Sequence, residues 1–426
     1  MRDLEKNVKI LKGNIIYTEN SDSFNVVEKG FIIVKDGIVD GTYEKLPEEF
    51  KDVQVEDYGD KLIIPGFIDL HTHASQFAIK GIGYDKELLP WLETYTFPEE
   101  AKFIDKVYAE KVYKEFVDEL YEEGTTRAVI FATIHSEATE ILMKLLEEKG
   151  IEAYVGKVNM DRNCPDTLKE KSDESVETTI KWIENSSKKY KYVKPIITPR
   201  FVPSCTSHLM KELGSIAVSK SMPVQSHLSE NLSEIEWVKE LHPECKNYGE
   251  VYDKFNLFGQ TKTIMAHCVY LTEDEINIIE DNNVTIAHCP TSNVNISSGI
   301  APINTLLRKK KVKIGLGSDI AGGESLSLLS VMKSAVSLSK MRAICFKEEE
   351  KALTLPEVFY LATKGGGSFF GKVGSFEKSY EFDALIIDDD NLWKVNKGNI
   401  EERLEKLVYL GNKGNIIKRY VCGREI

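Results

Sequence analysis

The sequence contains few cysteines, and none of them form a CxxC pair. The seven cysteines are scattered along 426 residues, and their odd number argues against a disulfide framework. We therefore expect reduced thiols in a cytoplasmic protein. The chain also lacks any run of about 18 apolar residues, so we predict no membrane span. Its first residues, MRDLEKNVKILKGN, have no apolar stretch of signal-peptide length.

Basic residues are fewer than acidic residues. Lys and Arg number 55 against 68 Asp and Glu, which gives a net charge of −13. Such a surface repels phosphate backbones, so we predict no nucleic-acid partner. The one basic run, Arg308 to Lys311, is typical of a solvated helix end.

The middle of the chain alternates short apolar runs of strand character with longer segments of helical periodicity. The runs are LIIPGFIDLHT (from Leu62), TTRAVIFAT (from Thr125), EAYVGKVNM (from Glu152), VKPIITPRF (from Val193), PVQSHLS (from Pro223), KTIMAHCVY (from Lys262), VTIAHCPT (from Val284) and KIGLGSDI (from Lys313). Parallel barrel strands are buried on both sides and read as continuous apolar runs. The pattern predicts an α/β protein with a distorted (β/α)8 TIM barrel.

The two ends of the chain read differently, as β-like pieces broken by Gly and Asn with little helix. Each end is too short to make a stable sheet domain alone. We therefore predict a small β-sandwich domain assembled from both termini, with the barrel inserted between its halves. The predicted division is 1–62 for the first half of the β domain, 63–371 for the barrel and 372–426 for the second half.

Histidine is rare, with eight in the chain, yet several lie at strand ends. His71 and His73 close the first barrel strand, and residues at i and i+2 of a strand face the same side. The carboxyl end of a barrel strand points into the face that bears active sites. Both imidazoles can therefore reach one metal ion.

Further strand-end residues complete a candidate metal centre. His227, His267 and His288 end later strands, and Asp319 ends the eighth. Imidazole nitrogens with a carboxylate suit Zn²⁺, with Fe²⁺ an acceptable substitute. The fourth strand does not end in lysine, so no residue is available to bridge two metals, and we predict one ion.

The two cysteines that follow strand-end histidines, Cys268 and Cys289, are not expected to bind the metal. Strand alternation should turn both thiols to the opposite face. The roles of His288 and of His135, which ends the second strand, remain open.

The motifs of these strands resemble those of the amidohydrolase superfamily, in its deaminase and chlorohydrolase branch. The shared segments are PGFIDLHTH, SHLSEN, AHC and GSD. Over nearly its full length the chain is similar to guanine deaminases. The narrower features are HASQ, PWLETYTFPEE, TPRF and GSDIAGGESLSLL.

The resemblance implies a site and a small-molecule purine substrate. One Zn²⁺ per subunit would be held by His71, His73, His227 and Asp319. The guanine pocket would be built from Gln76, Arg200, Phe201 and Glu230, with His73, His227 and Asp319 also facing the substrate. The resemblance also implies a homodimer.

The implied reaction is the hydrolytic deamination of guanine to xanthine and ammonia. Asp319 would accept the proton of the metal-activated water while His267 orients it, and Glu230 would carry protons to the ring and to the leaving amine. One alternative is a related hydrolase of cytosine, a pterin, an adenosine-type compound or a triazine. A nucleic-acid deaminase and a non-catalytic scaffold are further alternatives. The long segment 77–98 is expected to close the pocket.

Overall fold

The computed structural model describes residues 8–347 and 350–426. The strands are β1 (Val8–Tyr17), β2 (Asn25–Lys35), β3 (Ile38–Tyr43), β4 (Val55–Pro65), β5 (Phe67–His73), β6 (Thr125–Phe131), β7 (Glu152–Gly156), β8 (Val158–Asn159), β9 (Val193–Pro195), β10 (Thr198–Pro199), β11 (Val224–Leu228), β12 (Thr263–His267), β13 (Thr285–His288), β14 (Lys313–Leu316), β15 (Ala384–Ile387), β16 (Ile416–Val421) and β17 (Arg424–Glu425).

The helices are α1 (Leu88–Trp91), α2 (Phe97–Glu100), α3 (Lys106–Glu122), α4 (Ser136–Lys149), α5 (Ser172–Lys189), α6 (Ser207–Lys220), α7 (Leu232–Leu241), α8 (Tyr248–Lys254), α9 (Glu273–Asp281), α10 (Pro290–Asn295), α11 (Ile303–Lys309), α12 (Leu328–Cys345), α13 (Leu355–Tyr360) and α14 (Ile400–Leu410). Their ends follow ordinary capping chemistry. Gly150, for example, ends α4 in the left-handed conformation, and Thr272 with Glu275 forms a capping box on α9. Helices α3–α11 lie between successive barrel strands in the chain, and α12 follows the last one.

Strands from both ends of the chain form one sheet. Within the described residues it has seven strands in the order β17-β16-β15-β4-β1-β2-β3. The two ends meet where β15 pairs antiparallel with β4, with Ala384 opposite Pro65. The predicted division of the chain stays a prediction, and residues 1–7 of its first segment lie outside the described residues. In the structure, β4 crosses the predicted boundary at 62 and ends at Pro65.

The central strands close into a barrel. Two four-stranded parallel arcs, β5-β6-β7-β9 and β11-β12-β13-β14, account for its eight strands in the described part of the chain. The arcs join at a parallel bridge between Ile197 and Val224. They close where the backbone N–H of Asp319 donates to the carbonyl of His71 at 2.8 Å. The predicted fold class, an α/β barrel with a β domain drawn from both ends, is confirmed.

The apolar run that begins at Leu62 is divided between the two sheets. Its first part completes β4, and its second part is the first barrel strand, β5. The break falls at Gly66, where an added Cβ would come within 2.3 Å of the Thr126 side chain. Glycine therefore permits the close approach of β6 at the point where the chain leaves one sheet for the other.

A buried arginine ties the barrel to the terminal sheet. Arg127 of β6 is fully buried and donates from Nε to Asp383 at 2.7 Å. Its guanidinium also pairs with Glu152 at 2.6 Å and with Glu381 at 2.8 Å. The guanidinium of Arg127 therefore lies between three carboxylates, and this ion-pair network joins the barrel to the terminal sheet.

Among the described helices, none is long and apolar enough to cross a membrane.

Candidate active site

Four of the predicted metal ligands meet at the carboxyl end of the barrel. His71 and His73 end β5, His227 lies near the end of β11, and the three imidazoles place one ring nitrogen each within 4.8 Å of the others. Asp319 follows β14, with its Oδ1 at 3.2 Å from Nε2 of His71 and 3.5 Å from Nε2 of His73. His71, His73 and Asp319 are buried, and His227 is half-buried.

The donor atoms of this cluster fit a divalent cation. His227 donates from Nδ1 to the carbonyl of Arg200 at 2.5 Å, so its Nε2 carries a lone pair, 3.1 Å from Nε2 of His73. Nε2 of His71 is buried and makes no hydrogen bond within the described residues. Burial lowers the pKa of both His73 and His227 well below its usual range, which keeps these rings neutral. Three neutral imidazoles and a carboxylate form a suitable ligand set for Zn²⁺ or Fe²⁺.

His267 lies between two carboxylates. Its Nδ1 donates to Oδ1 of Asn293 at 2.8 Å, which leaves Nε2 facing the centre of the site. Nε2 is 3.4 Å from Oε2 of Glu230 and 3.9 Å from Oδ2 of Asp319. Burial works to raise the pKa of Asp319, but the neighbouring imidazole of His71 holds it well below its usual range. Asp319 is therefore an anion beside this imidazole.

Glu230 is held as a buried acid next to the metal-ligand cluster. The hydroxyl of Ser298 donates a hydrogen bond to Oε1 of Glu230 at 3.2 Å. The backbone N–H of Glu230 donates to the carboxylate of Glu234 at 3.0 Å. Burial and the neighbouring charge of Asp319 raise the pKa of Glu230 well above its usual range. A raised pKa favours the protonated form of a carboxyl group, which can act as an acid.

The predicted substrate contacts line the same pocket as the metal ligands. Gln76 lies in the turn after β5, and Arg200 and Phe201 follow β10. The lining consists of His73, Gln76, Leu88, Trp91, Leu92, Arg200, Phe201, His227, Glu230, His267, Ile296 and Asp319. The structure therefore brings together all the predicted site residues, with His71 just behind the lining.

The segment 77–98 covers this pocket, which supports the predicted closure. Leu88, Trp91 and Leu92 supply an apolar wall, and the indole N–H of Trp91 donates to the carbonyl of Ile82 at 3.0 Å. The hydroxyl of Tyr84 anchors the segment to the loop after β14, donating to the carbonyl of Ala321 at 2.9 Å. A pocket walled by this segment suits a small molecule better than a polymer.

Strained backbone marks the site. His267, Cys268 and Asp319 have φ values of +73°, +51° and +46°, in the left-handed region that side-chain-bearing residues seldom adopt. Such conformations cluster where a side chain must be aimed at a ligand. Here they turn His267 and Asp319 inward at the ends of their strands.

One prediction about this site is wrong. Strand alternation predicts that Cys289 faces away, but its Sγ lies within 4.8 Å of the ligand atoms of His71 and Asp319. The reason is that β13 ends at His288, so the alternation no longer applies to the next residue. Burial, reinforced by the charge of Asp319, raises the pKa of this thiol well above its usual range.

The two histidines with open roles are not part of the pocket wall. Neither His135 nor His288 lines the pocket in the described part of the chain. His288 is buried behind it, and burial lowers its pKa to about 3. We assign neither residue a part in the chemistry.

Sequence reasoning missed the residues that hold the functional side chains. Asn293 orients His267, Ser298 contacts Glu230, and Glu100 accepts hydrogen bonds from Gln76 and Arg200. All three side chains lie in segments that follow a barrel strand and carry no periodic pattern. A search for polar residues in the segments after strands would have found them as candidates.

Comparison with known proteins agrees with this geometry. The family model of the amidohydrolase family matches residues 62–426. The chain belongs to the amidohydrolase family, whose members are metal-dependent hydrolases, and it has a His/His/His/Asp site that could bind a metal.

Within that family the chain belongs with the guanine deaminases. It is 39% identical to guanine deaminase of Dictyostelium discoideum, with 100% of both chains covered, and 45% identical to that of Mus musculus over 90% of this chain and 87% of the relative. A crystal structure of guanine deaminase from C. acetobutylicum, with guanine bound in its active site, is 51% identical and superposes with a TM-score of 0.96. That match covers 99% of this chain and 100% of the other.

Proposed function

We propose that this protein hydrolyses guanine to xanthine and ammonia, as a hydrolase of the C–N bond in a cyclic amidine. The observation that carries the proposal is the single pocket in which the metal-ligand cluster, the buried acid Glu230 and the polar pair Gln76 and Arg200 face one another. The bound guanine in a relative that is 51% identical supports the same substrate.

The resident metal in this proposal is one Zn²⁺ per subunit, with Fe²⁺ as the substitute. Its ligands are His71, His73, His227 and Asp319. The ion, when bound, lowers the pKa of water towards about 7 and so supplies a nucleophile at neutral pH. The carbonyl of Arg200 fixes the tautomer of His227, which keeps the ligating nitrogen unprotonated.

The chain's own residues move the protons. His267 orients the attacking water with Nε2, because its Nδ1 is committed to Asn293. Asp319 is the anion that accepts the water's proton. Glu230 delivers a proton to the ring nitrogen next to C2, the carbon that bears the amine. Glu230 then takes the proton of the new hydroxyl on C2 and passes it to the amine, which leaves as ammonia while the C2 carbonyl forms. The proton held by Asp319 returns to Glu230 and restores both groups.

The purine itself is held by the other wall. Arg200 supplies donors for the O6 carbonyl, and Gln76 bonds the polar edge of the base. Phe201 packs on the purine face, while Leu88, Trp91 and Leu92 exclude water from the reacting carbon. His73, His227, Glu230 and Asp319 line the side of the pocket where the amine is replaced.

The test is a direct assay of turnover. Metal-loaded protein is incubated with guanine, and xanthine formation is followed by ultraviolet absorbance. Cytosine, adenine, a pterin and a triazine run in parallel under the same conditions. We expect fast conversion of guanine alone. Turnover of another amine without turnover of guanine would retain a metal-dependent hydrolase and overturn the proposed substrate.

The setting we propose is purine catabolism in the cytoplasm, with the protein acting as a homodimer. The seven cysteines are all free, which agrees with a reducing compartment. Sedimentation of the purified protein tests the dimer, and a monomer at working concentration would contradict it.

A further inference from the structure

A single buried carboxylate connects the two residues proposed to bind the polar edge of the base. Glu100 accepts a hydrogen bond from Nε2 of Gln76 at Oε1, at 3.1 Å, and from Nη1 of Arg200 at Oε2, at 2.7 Å. All three side chains are at most 3% exposed. Glu100 itself does not line the pocket in the described part of the chain, so it acts from behind the wall.

The same short helix holds Arg200 on two sides. α2 begins at Phe97 and ends at Glu100, and the guanidinium carbon of Arg200 lies 5.2 Å from the centre of the Phe97 ring. The ring supports the flat face of the guanidinium while the carboxylate takes one of its edges. The guanidinium is therefore fixed in its plane, and its remaining N–H groups are left for a ligand.

The hydrogen bond to Glu100 also decides which way the Gln76 amide faces. A carboxylate accepts only, so it must meet the NH₂ group of the amide and not its oxygen. The amide oxygen of Gln76 is then left to accept from the base. The pocket wall presents an acceptor at Gln76 beside donors at Arg200, which matches a ring N–H next to a carbonyl.

We propose that Glu100 is a positioning residue that sets the order of hydrogen-bond donors and acceptors on the pocket wall, and so selects purines with a carbonyl beside a ring N–H. This inference rests on the proposed function. It extends that function by naming what fixes the specificity of Gln76 and Arg200.

The variant Glu100→Gln tests the proposal at constant size. Its amide has one acceptor, which Arg200 takes, and its NH₂ group then faces the NH₂ group of Gln76. The Gln76 amide must turn over, which puts N–H groups where the base needs an acceptor. We expect the KM for guanine to rise at least about tenfold while kcat changes less than about threefold. The preference for guanine over 2-aminopurine, which lacks the carbonyl and its neighbouring ring N–H, should fall about tenfold.

Glu99→Gln is the matched control. Glu99 precedes Glu100 on α2 and is equally buried, but it bonds Lys102 at 2.6 Å and the hydroxyl of Tyr108. Its removal should leave KM and the substrate preference unchanged. If Glu100 had only a structural role, Glu100→Gln and Glu99→Gln would both change stability and metal content. Neither would then change the preference for guanine over 2-aminopurine.

Two further measurements keep the outcome decisive. If Glu100→Gln does not fold, Glu100→Asp retains the charge for Arg200 but is too short to reach Gln76 as well, and the preference should still fall. Xanthine binding to the metal-free protein, measured by calorimetry, tests the role of Glu100 without turnover. The affinity for xanthine should be about tenfold lower in Glu100→Gln than in the wild type. Equal xanthine affinity and an unchanged preference would overturn the role of Glu100. Normal xanthine binding without turnover of guanine by the wild type would instead overturn the proposed function.

Discussion

Replacement of Glu230 by Gln should abolish most turnover and leave the metal in place. The amide keeps the size of the carboxyl group and retains an oxygen for the Ser298 hydroxyl, which donates to Oε1 at 3.2 Å in the wild type. It cannot carry a proton from water to the ring nitrogen and the leaving amine. Glu230 is also outside the ligand set, so bound metal should not change.

The structure supports a loss of kcat in the upper half of the usual range. General acid–base catalysis contributes about 10²- to 10⁴-fold, or about 3–5 kcal/mol of transition-state stabilisation. Glu230 is 3% exposed, so bulk water has little access to replace it as a proton carrier. Its raised pKa favours the protonated form, which is the form that acts as an acid. We therefore expect a loss nearer to about 10⁴-fold.

The assay is initial-rate xanthine formation, with metal content measured on the same samples. Glu236→Gln is the matched control, because Glu236 is an exposed residue of α7 and does not line the pocket. That control should behave as the wild type. A Glu230→Gln protein with full metal and a kcat within about tenfold of normal would refute the shuttle assignment.

Three further outcomes follow from the contacts described above. Asp319→Asn should purify with most of its metal lost, because it removes the one anionic ligand of the cluster; full occupancy by elemental analysis would contradict its role. Arg127→Met should lower the free energy of unfolding in urea by about 3–5 kcal/mol, since the fully buried Asp383 loses its countercharge; a loss under about 1 kcal/mol would mean the network is dispensable. Burial raises the pKa of Glu234 from 4.5 to about 7, so the folded protein keeps a proton that the unfolded chain releases. The contribution of this group to the free energy of unfolding is complete below about pH 4.5 and falls by about 3 kcal/mol as pH rises through about 7. Urea unfolding measured across this pH range should show a flatter dependence for Glu234→Gln than for the wild type.

The barrel was predictable because its strands leave a strong local pattern. A strand buried on both faces is mostly apolar, as residues 128–131 of β6 are, and the intervening helices carry their own caps. The point at which one apolar run divides into β4 and β5 was not predictable from that pattern. Both halves are apolar, and the division depends on the fit of Gly66 against Thr126, which lies in another part of the chain.

The metal-ligand residues were predictable for a related reason. Parallel strands in a barrel all end on one face, so His71, His73, His227 and Asp319 had to converge once each was recognised at a strand end. The position of Cys289 was not predictable in the same way. The rule of alternation holds only within a strand, and β13 ends one residue before it.

The sequence by itself determined the fold class and the ligand types, because each depends on a local repeat or a strand end. The resemblance to guanine deaminases implied the pocket residues. Only the tertiary structure decided how those residues are held. Glu100 and Arg200 are 100 positions apart, and Ser298 and Glu230 are 68 apart. Such pairs arise when segments after different strands pack together, and no periodicity in the chain records that packing. The orientation of the reacting groups is therefore a property of the closed barrel.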